Sequence, residues 1–145
     1  MSIIYLLAGA LLGALFVTFA ARLPGGGRHL LAIGLFIAGT IYVLFALHAL
    51  DRGWIITEAI GALACGLIGW LGVRHSPLWL AAGWGLHPLW DVGLHLSGPG
   101  AGIAPAWYAL VCASFDVIVA GYVWLRLRPD PAHTAHRASA KKNGQ

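Results

Sequence analysis

The residues with the clearest capacity for chemistry lie in one short run, His87-Pro88-Leu89-Trp90-Asp91-Val92-Gly93-Leu94-His95. His87, Asp91 and His95 are each four residues apart, which places them along one face of a helix. Imidazole and carboxylate side chains are typical ligands of zinc or iron. The same residue types also hold and pass protons, because histidine titrates near neutral pH. The run therefore predicts either a metal site or a proton-handling site.

Three more ionisable residues, His48, Glu58 and Asp116, lie in apolar segments elsewhere in the chain. A carboxylate at the centre of a membrane helix costs about 2.5–3.5 kcal/mol, so such residues normally face the bundle interior and have partners. We therefore predict one polar pocket with two kinds of side chain. The predicted metal ligands are His48, His87, Asp91 and His95, and the predicted catalytic carboxylates are Glu58, Asp91 and Asp116. We find no nucleotide-binding, haem-attachment or serine-nucleophile signature.

The composition of the chain defines the solvent in which this pocket must form. Of the 145 residues, 59% are hydrophobic and 10% are charged, and the mean hydropathy is +0.79. A soluble domain has about 25% charged residues. This excludes a soluble enzyme, a disordered chain and a nucleic-acid-binding module, and it indicates a multi-pass membrane protein. Cys65 and Cys112 both lie in apolar runs and do not form a disulfide framework.

Five apolar runs are long enough to cross a bilayer, which requires about 20 residues per helix. They predict an all-α, five-helix transmembrane bundle over residues 1–128 and a flexible, basic, cytoplasmic tail over residues 129–145. The predicted spans are residues 3–21, 30–50, 54–73, 77–96 and 105–127.

The basic residues predict the orientation, because cytoplasmic loops are enriched in lysine and arginine. With five spans, Arg52 falls on one side and the remaining basic residues fall on the other. We therefore expect an inner (cytoplasmic) membrane protein with its N-terminus outside and its C-terminus in the cytoplasm. At a rise of about 1.5 Å per residue, nearly all the buried ionisable groups then lie in the outer half of the bilayer, and none lies in the inner half. This predicts a pocket that opens toward the outer face.

Two backbone features lead to further predictions. Pro88 cannot donate a hydrogen bond to the Trp84 carbonyl, so we expect a kink in the fourth helix that leaves this carbonyl free. Gly9 and Gly13 have the spacing that lets two membrane helices approach closely. The expected partners are thus the lipid bilayer and a second copy of the chain, bound through the Gly9/Gly13 face.

These observations lead to a functional hypothesis and two alternatives. The hypothesis is a metal-dependent or acid–base membrane enzyme, with zinc or iron as the metal, that acts on a lipid or other amphiphile. Asp91 and the histidines would hold the metal or a water molecule, and Asp116 would orient His87 or complete the site. One alternative is a small transport or accessory protein with a proton relay. The other is a structural core in which each polar bond contributes roughly 0.6–2 kcal/mol.

The segment Gly83-Trp84-Gly85-Leu86-His87-Pro88-Leu89-Trp90-Asp91 continues to His95 and is followed by Pro105-Ala106-Trp107-Tyr108, Cys112 and Asp116. This pattern resembles a family of small bacterial multi-pass membrane proteins of unknown function, with a His-x-x-Trp-Asp-x-x-x-His helix and a following Trp-Tyr…Asp helix. The resemblance covers mainly the fourth and fifth helices. It implies a small helical bundle and implies no activity. Pro88 departs from the family pattern, which has small or apolar residues there.

Overall fold

The computed structural model describes residues 2–127, which form five helices and contain no β-strand. The helices are α1 (Ser2–Ala21), α2 (Arg28–His48), α3 (Arg52–Arg74), α4 (Pro77–Trp90) and α5 (Ala106–Tyr122). α4 continues as a π-helical turn over Asp91–Leu96, and α5 continues as another over Val123–Leu127. The prediction of an all-α, five-helix bundle is confirmed. The predicted tail, residues 129–145, lies outside the described residues.

The outer surface of the bundle is apolar. Large hydrophobic side chains such as Leu7, Leu11, Leu63 and Leu89 are more than 60% exposed. Four helices are long and apolar enough to cross a membrane: α1, α2 with the turn before it, α3, and α5 with its π-helical turn. Water does not support so large an exposed apolar surface, whereas lipid does. The chain is therefore a membrane protein.

Short connections hold the helix ends together. The turn Pro24–Gly27 joins α1 to α2 through three glycines with φ between +65° and +69°, a conformation that other residues rarely adopt. The Tyr122 hydroxyl donates a hydrogen bond of 3.2 Å to the Gly26 carbonyl in this turn. At the other end of the bundle, the Asp51 carboxylate caps α3 by accepting a 3.1 Å hydrogen bond from the Trp54 N–H.

The helices pack as two pairs around α4. α1 packs mainly against α5 and α2 against α3, while α4 contacts α2, α3 and α5. The apolar core includes Leu31 and Leu35 of α2, Leu80 and Trp84 of α4, and Val119 of α5. The Trp84 indole donates a 3.2 Å hydrogen bond to the Leu31 carbonyl. This core lies where α2 and α4 begin, so the polar side chains occupy the half of the bundle in which α2 and α4 end.

The irregular part of the fourth helix lies beyond Pro88. α4 runs through Pro88, and the hydrogen-bonding pattern widens at Asp91, whose N–H contacts the carbonyls of both His87 and Pro88. In a regular α-helix, residues eight apart such as His87 and His95 are offset by about 80° around the axis. The wider π-helical turn reduces that offset, because each residue advances less around the axis. His87, Asp91 and His95 are consequently all buried.

The small-residue face of α1 is used inside the chain. Gly9 and Gly13 are buried, and a Cβ atom at Gly9 would collide with the Val111 carbonyl oxygen. A Cβ atom at Gly13 would lie 3.0 Å from the Phe115 carbonyl oxygen. The Gly9/Gly13 face, predicted to bind a second copy, is thus occupied by α5 of the same chain. Oligomer formation itself stays a prediction.

We expect Gly9→Ala to lower the Tm of the purified protein in mild detergent by several degrees. The added methyl group overlaps the α5 backbone at Val111, and overpacking of this kind costs typically 1–3 kcal/mol. Gly121→Ala is the matched control, because a Cβ atom at Gly121 has no neighbour within 4 Å. Equal Tm values for the two variants would show that α1 and α5 are not in close contact.

Candidate metal centre

His87, Asp91 and Asp116 form a compact cluster between α4 and α5, called here the aspartate cluster. His87 Nδ1 forms a 2.8 Å hydrogen bond with Asp116 Oδ2. The same Nδ1 lies 3.5 Å from Asp91 Oδ1. One potential ligand atom from each residue lies within 4.8 Å of the other two, and all three side chains are buried. The cluster therefore has the dimensions of a metal-binding site.

The charges of the aspartate cluster are not balanced by protein groups. Two carboxylates, Asp91 and Asp116, share one imidazole, and no lysine or arginine among residues 2–127 is buried. Both carboxylate oxygens of Asp91 are buried and lack a hydrogen-bond partner. Buried charges are normally paired or coordinate metals. A divalent cation with two carboxylates and a neutral imidazole gives zero net charge, so these residues fit a divalent metal.

The interatomic distances also fit a metal centre. Zinc lies about 2.0–2.2 Å from nitrogen and oxygen ligands, so two ligand atoms at tetrahedral angles are about 3.4 Å apart. The 3.5 Å contact between His87 Nδ1 and Asp91 matches this separation, whereas the 2.8 Å contact with Asp116 is a direct hydrogen bond. The ligand set contains more oxygen than the predicted one, because it has one imidazole and two carboxylates. Manganese therefore joins zinc and iron as a candidate.

Glu58, Trp90 and His95 form a second group, called here the glutamate cluster. Glu58 Oε1 lies 3.2 Å from His95 Nε2, and Glu58 Oε2 accepts a 3.1 Å hydrogen bond from the Trp90 indole. Here one carboxylate faces one histidine, so the group can balance its own charge. The predicted polar stripe of α4 is thus divided between two clusters, and His95 lies outside the aspartate cluster.

Tyr42 of α2 connects the two clusters, and it is not among the site residues predicted from the sequence. Its ring stacks on His95 with centroids 4.4 Å apart and lies 6.0 Å from His87. Its hydroxyl is buried and has no hydrogen-bond partner. Gly39 and Ala46 share the buried face of α2 with Tyr42. These small residues are the signal that could have identified this face.

His48, one of the predicted metal ligands, is exposed at the end of α2. It follows Tyr42 by six residues, which corresponds to about 240° of rotation around the helix. Because Tyr42 faces the bundle interior, His48 faces away from it. The structure brings together Glu58, His87, Asp91, His95 and Asp116 in one half of the bundle, and it leaves His48 outside.

The end of the bundle nearest these clusters is covered by the connection between the fourth and fifth helices. Gly100 in this connection is buried, and a Cβ atom there would lie 2.8 Å from Trp54 and 3.1 Å from His95 Nδ1. The predicted pocket that opens toward the outer face is therefore covered over His95. Cavities reach the clusters between helices instead. One of about 130 Å³ is lined by Tyr42, Glu58 and His87, and another of about 330 Å³ adjoins Asp116.

Five apolar helices around a buried histidine–carboxylate centre define a small polytopic membrane protein. The chain belongs to a protein family described as a family of unknown function (DUF6010), whose model matches residues 4–128. The expected membership in a family of unknown function with several apolar helices is thereby confirmed, while the bacterial origin stays a prediction. No curated protein and no solved structure matches the chain.

Proposed function

We propose that this protein is a membrane enzyme whose aspartate cluster binds a divalent metal and acts on a lipid or another amphiphile. The observation that carries the proposal is the excess of carboxylates over positive groups in a buried site. Asp91 and Asp116 share His87, and both oxygens of Asp91 lack a hydrogen-bond partner. A divalent cation would balance the negative charge of the two carboxylates, and it would coordinate the Asp91 oxygens.

Each residue has a defined role in this proposal. His87 and Asp91 are ligands, and Asp116 completes the site or orients His87 through their 2.8 Å hydrogen bond. A bound metal would polarise a carbonyl group or activate water for hydrolysis. Glu58 lines the same 130 Å³ cavity as His87, and we assign proton transfer to it. Trp90 and His95 hold the Glu58 carboxylate in place.

The substrate class is inferred from the surroundings of the centre. Apart from a few polar side chains such as Glu58 and Asp116, the cavities next to His87 and Asp116 have apolar walls. The outer surface of the helices is rich in exposed leucine and isoleucine side chains and also exposes phenylalanine, tryptophan and valine. A substrate that reaches the centre between the helices therefore passes through lipid, which favours an amphiphile over a water-soluble metabolite.

We expect about one zinc, iron or manganese per chain when the protein is purified in mild detergent without a His tag or chelator. Inductively coupled plasma mass spectrometry measures this directly. His87→Ala should lose the metal, because it removes the only imidazole of the aspartate cluster. Glu58→Gln is the matched control, since it changes a buried carboxylate outside this cluster, and it should retain the metal. Lipid extracts incubated with wild type and with His87→Ala should then differ in their products.

A well-folded wild-type protein that has no metal, and whose Tm is not raised by added Zn²⁺, Fe²⁺ or Mn²⁺, would contradict the proposal.

The second candidate is a small transport or accessory protein with a proton relay. It is favoured by the position of the Tyr42 ring, which lies against His95 and near His87 and so joins the two clusters. Proton flux into proteoliposomes, lost in Tyr42→Phe, would support this candidate.

We further propose that the protein lies in the inner (cytoplasmic) membrane with its N-terminus outside. The support is the distribution of lysine and arginine, of which only Arg52 falls on the side opposite to the rest. In this orientation both clusters lie in the outer half of the membrane. Site-directed labelling of single cysteines introduced at Ser2 and at Gly53, with a membrane-impermeant reagent on intact cells, should modify both positions.

A further inference from the structure

A cavity of about 330 Å³ lies between α1, α2 and α5. Its walls are apolar and include Phe16 of α1, Ile37 and Ile41 of α2, and Phe115 of α5. Its polar residues are Asp116, Tyr108 and Cys112. An apolar chamber with one carboxylate of the aspartate cluster in its wall matches a ligand that has a long apolar part and one polar group.

This cavity faces the lipid. α1 packs mainly against α5 and α2 mainly against α3, so α1 and α2 make few contacts and leave a gap between them. Ile37, which lines the cavity, is 51% exposed on the outer surface. Val111 and Phe115 of α5 are also only partly buried behind this gap. In a membrane, the hydrocarbon of the bilayer is therefore in contact with the cavity entrance.

The dimensions and chemistry of the cavity select one kind of occupant. A helix, about 10–12 Å wide with its side chains, is too large for this space. Water needs two to four polar partners in a buried site, and the walls that α1 and α2 contribute supply none. A single hydrocarbon chain is narrow and apolar, and it can enter from the adjoining lipid.

The polar end of the occupant follows from the charges. The aspartate cluster carries two carboxylates, and no buried lysine or arginine lies among the described residues. A divalent cation would balance these carboxylates without leaving a positive charge to attract an anionic headgroup. An uncharged hydroxyl or ester group can bond to Asp116 or to a neighbouring ligand atom without adding charge.

We infer that the cavity between α1, α2 and α5 binds the single apolar chain of a membrane amphiphile and places an uncharged hydroxyl or ester group beside Asp116. This inference names the substrate class of the proposed enzyme and rests on the proposed function for its chemistry. Binding of the chain itself requires only the cavity and its opening, so binding and metal content can be measured independently.

The test is photo-crosslinking of the purified protein in nanodiscs with a long-chain alcohol that carries a diazirine. Adducts are mapped by mass spectrometry, and we expect them in the α2 segment around Ile37–Ile41 and the α5 segment around Val111–Phe115. Ala38→Phe puts a phenyl ring into this cavity and should reduce labelling roughly tenfold by filling the space. Ala64→Phe is the matched control, because Ala64 lines the 130 Å³ cavity instead. The corresponding fatty acid, which is anionic, should label less than the alcohol.

A further measurement keeps the inference testable if Ala38→Phe folds poorly. In a Cys65→Ser background, Cys112 is the remaining cysteine of the chain and lines the same cavity. Its modification by a lipophilic maleimide should block crosslinking. Labelling spread evenly over the exposed face of α1, or equal loss in Ala64→Phe and Ala38→Phe, would overturn the inference. Stronger labelling by the fatty acid would also overturn it.

The outcome also separates this inference from the proposed function. Specific labelling of a protein that contains no metal would support chain binding and contradict the metal centre. A protein that binds metal but labels evenly along its lipid-facing surface would support the metal centre and overturn chain binding.

Discussion

Asp91→Asn is expected to abolish metal binding while leaving the Tm of the metal-free protein unchanged or higher. Both carboxylate oxygens of Asp91 are buried without a hydrogen bond, and asparagine keeps an oxygen that can maintain the 3.5 Å contact with His87 Nδ1. It keeps the volume of the side chain and removes a buried charge that the protein does not balance. Changing a residue that only supports a metal ligand lowers metal affinity by about 10–100-fold, and removing a ligand should cost more. We therefore expect the metal affinity of Asp91→Asn to fall more than about 100-fold.

The measurement combines metal-competition titration with thermal unfolding in mild detergent, with and without metal. Asp51→Asn is a matched control, because Asp51 caps α3 outside the bundle interior and asparagine is an equally good cap. It should change neither quantity. If Asp91→Asn instead lost many degrees of Tm and bound metal as tightly as wild type, Asp91 would be a structural residue and not a ligand.

The division of the bundle into five helices follows from features that are local in sequence. Apolar runs of about 20 residues must form helices in lipid, where each backbone polar group needs an internal partner. Prolines and glycines between the runs mark the turns, as Pro24–Gly27 and Ser76-Pro77 show. When the π-helical turns are counted with α4 and α5, each helix begins and ends within two residues of the span predicted for it.

The rotation of each helix about its axis could not be predicted in the same way. α2 is apolar around its whole circumference, so no amphipathic face shows which side turns inward. Whether Tyr42 or His48 faces the bundle interior is therefore decided by how α2 packs against the other helices. The same reason explains Gly9 and Gly13, whose spacing indicates close helix contact but does not show that the neighbour is α5 of the same chain.

Within the site, contacts between residues of one helix could be predicted from the sequence more readily than contacts between helices. The four-residue spacing of His87 and Asp91 predicts that they are adjacent, and they are. The suggestion that Asp116 orients His87 agrees with their 2.8 Å hydrogen bond. Pairing of Glu58 with His95 and Trp90 depends on how α3 packs against α4 and its π-helical turn. The sequence pattern does not encode this packing.

Glu58→Leu is expected to cause the largest loss of stability among single substitutions in the two clusters. It leaves His95 without its carboxylate and the Trp90 indole without its acceptor, both in the same part of the bundle. Removing one member of a buried pair costs typically about 3–5 kcal/mol, because the remaining partner stays buried and unsatisfied. Glu58→Gln retains an acceptor oxygen and should lose only about 1 kcal/mol. Thermal and denaturant unfolding in the same detergent give both values.

The contrast between Glu58→Leu and Asp91→Asn tests whether the two clusters differ in kind. In the glutamate cluster the Glu58 carboxylate contacts both His95 and Trp90, so its loss should reduce stability. In the aspartate cluster the Asp91 carboxylate forms no hydrogen bond and has only the 3.5 Å contact with His87, so its substitution should reduce function and spare stability. This is the pattern expected where a protein retains an unfavourable buried group for its chemistry. If both variants lost stability equally and neither affected metal content, the two clusters would form one structural polar core, and the proposed metal centre would be wrong.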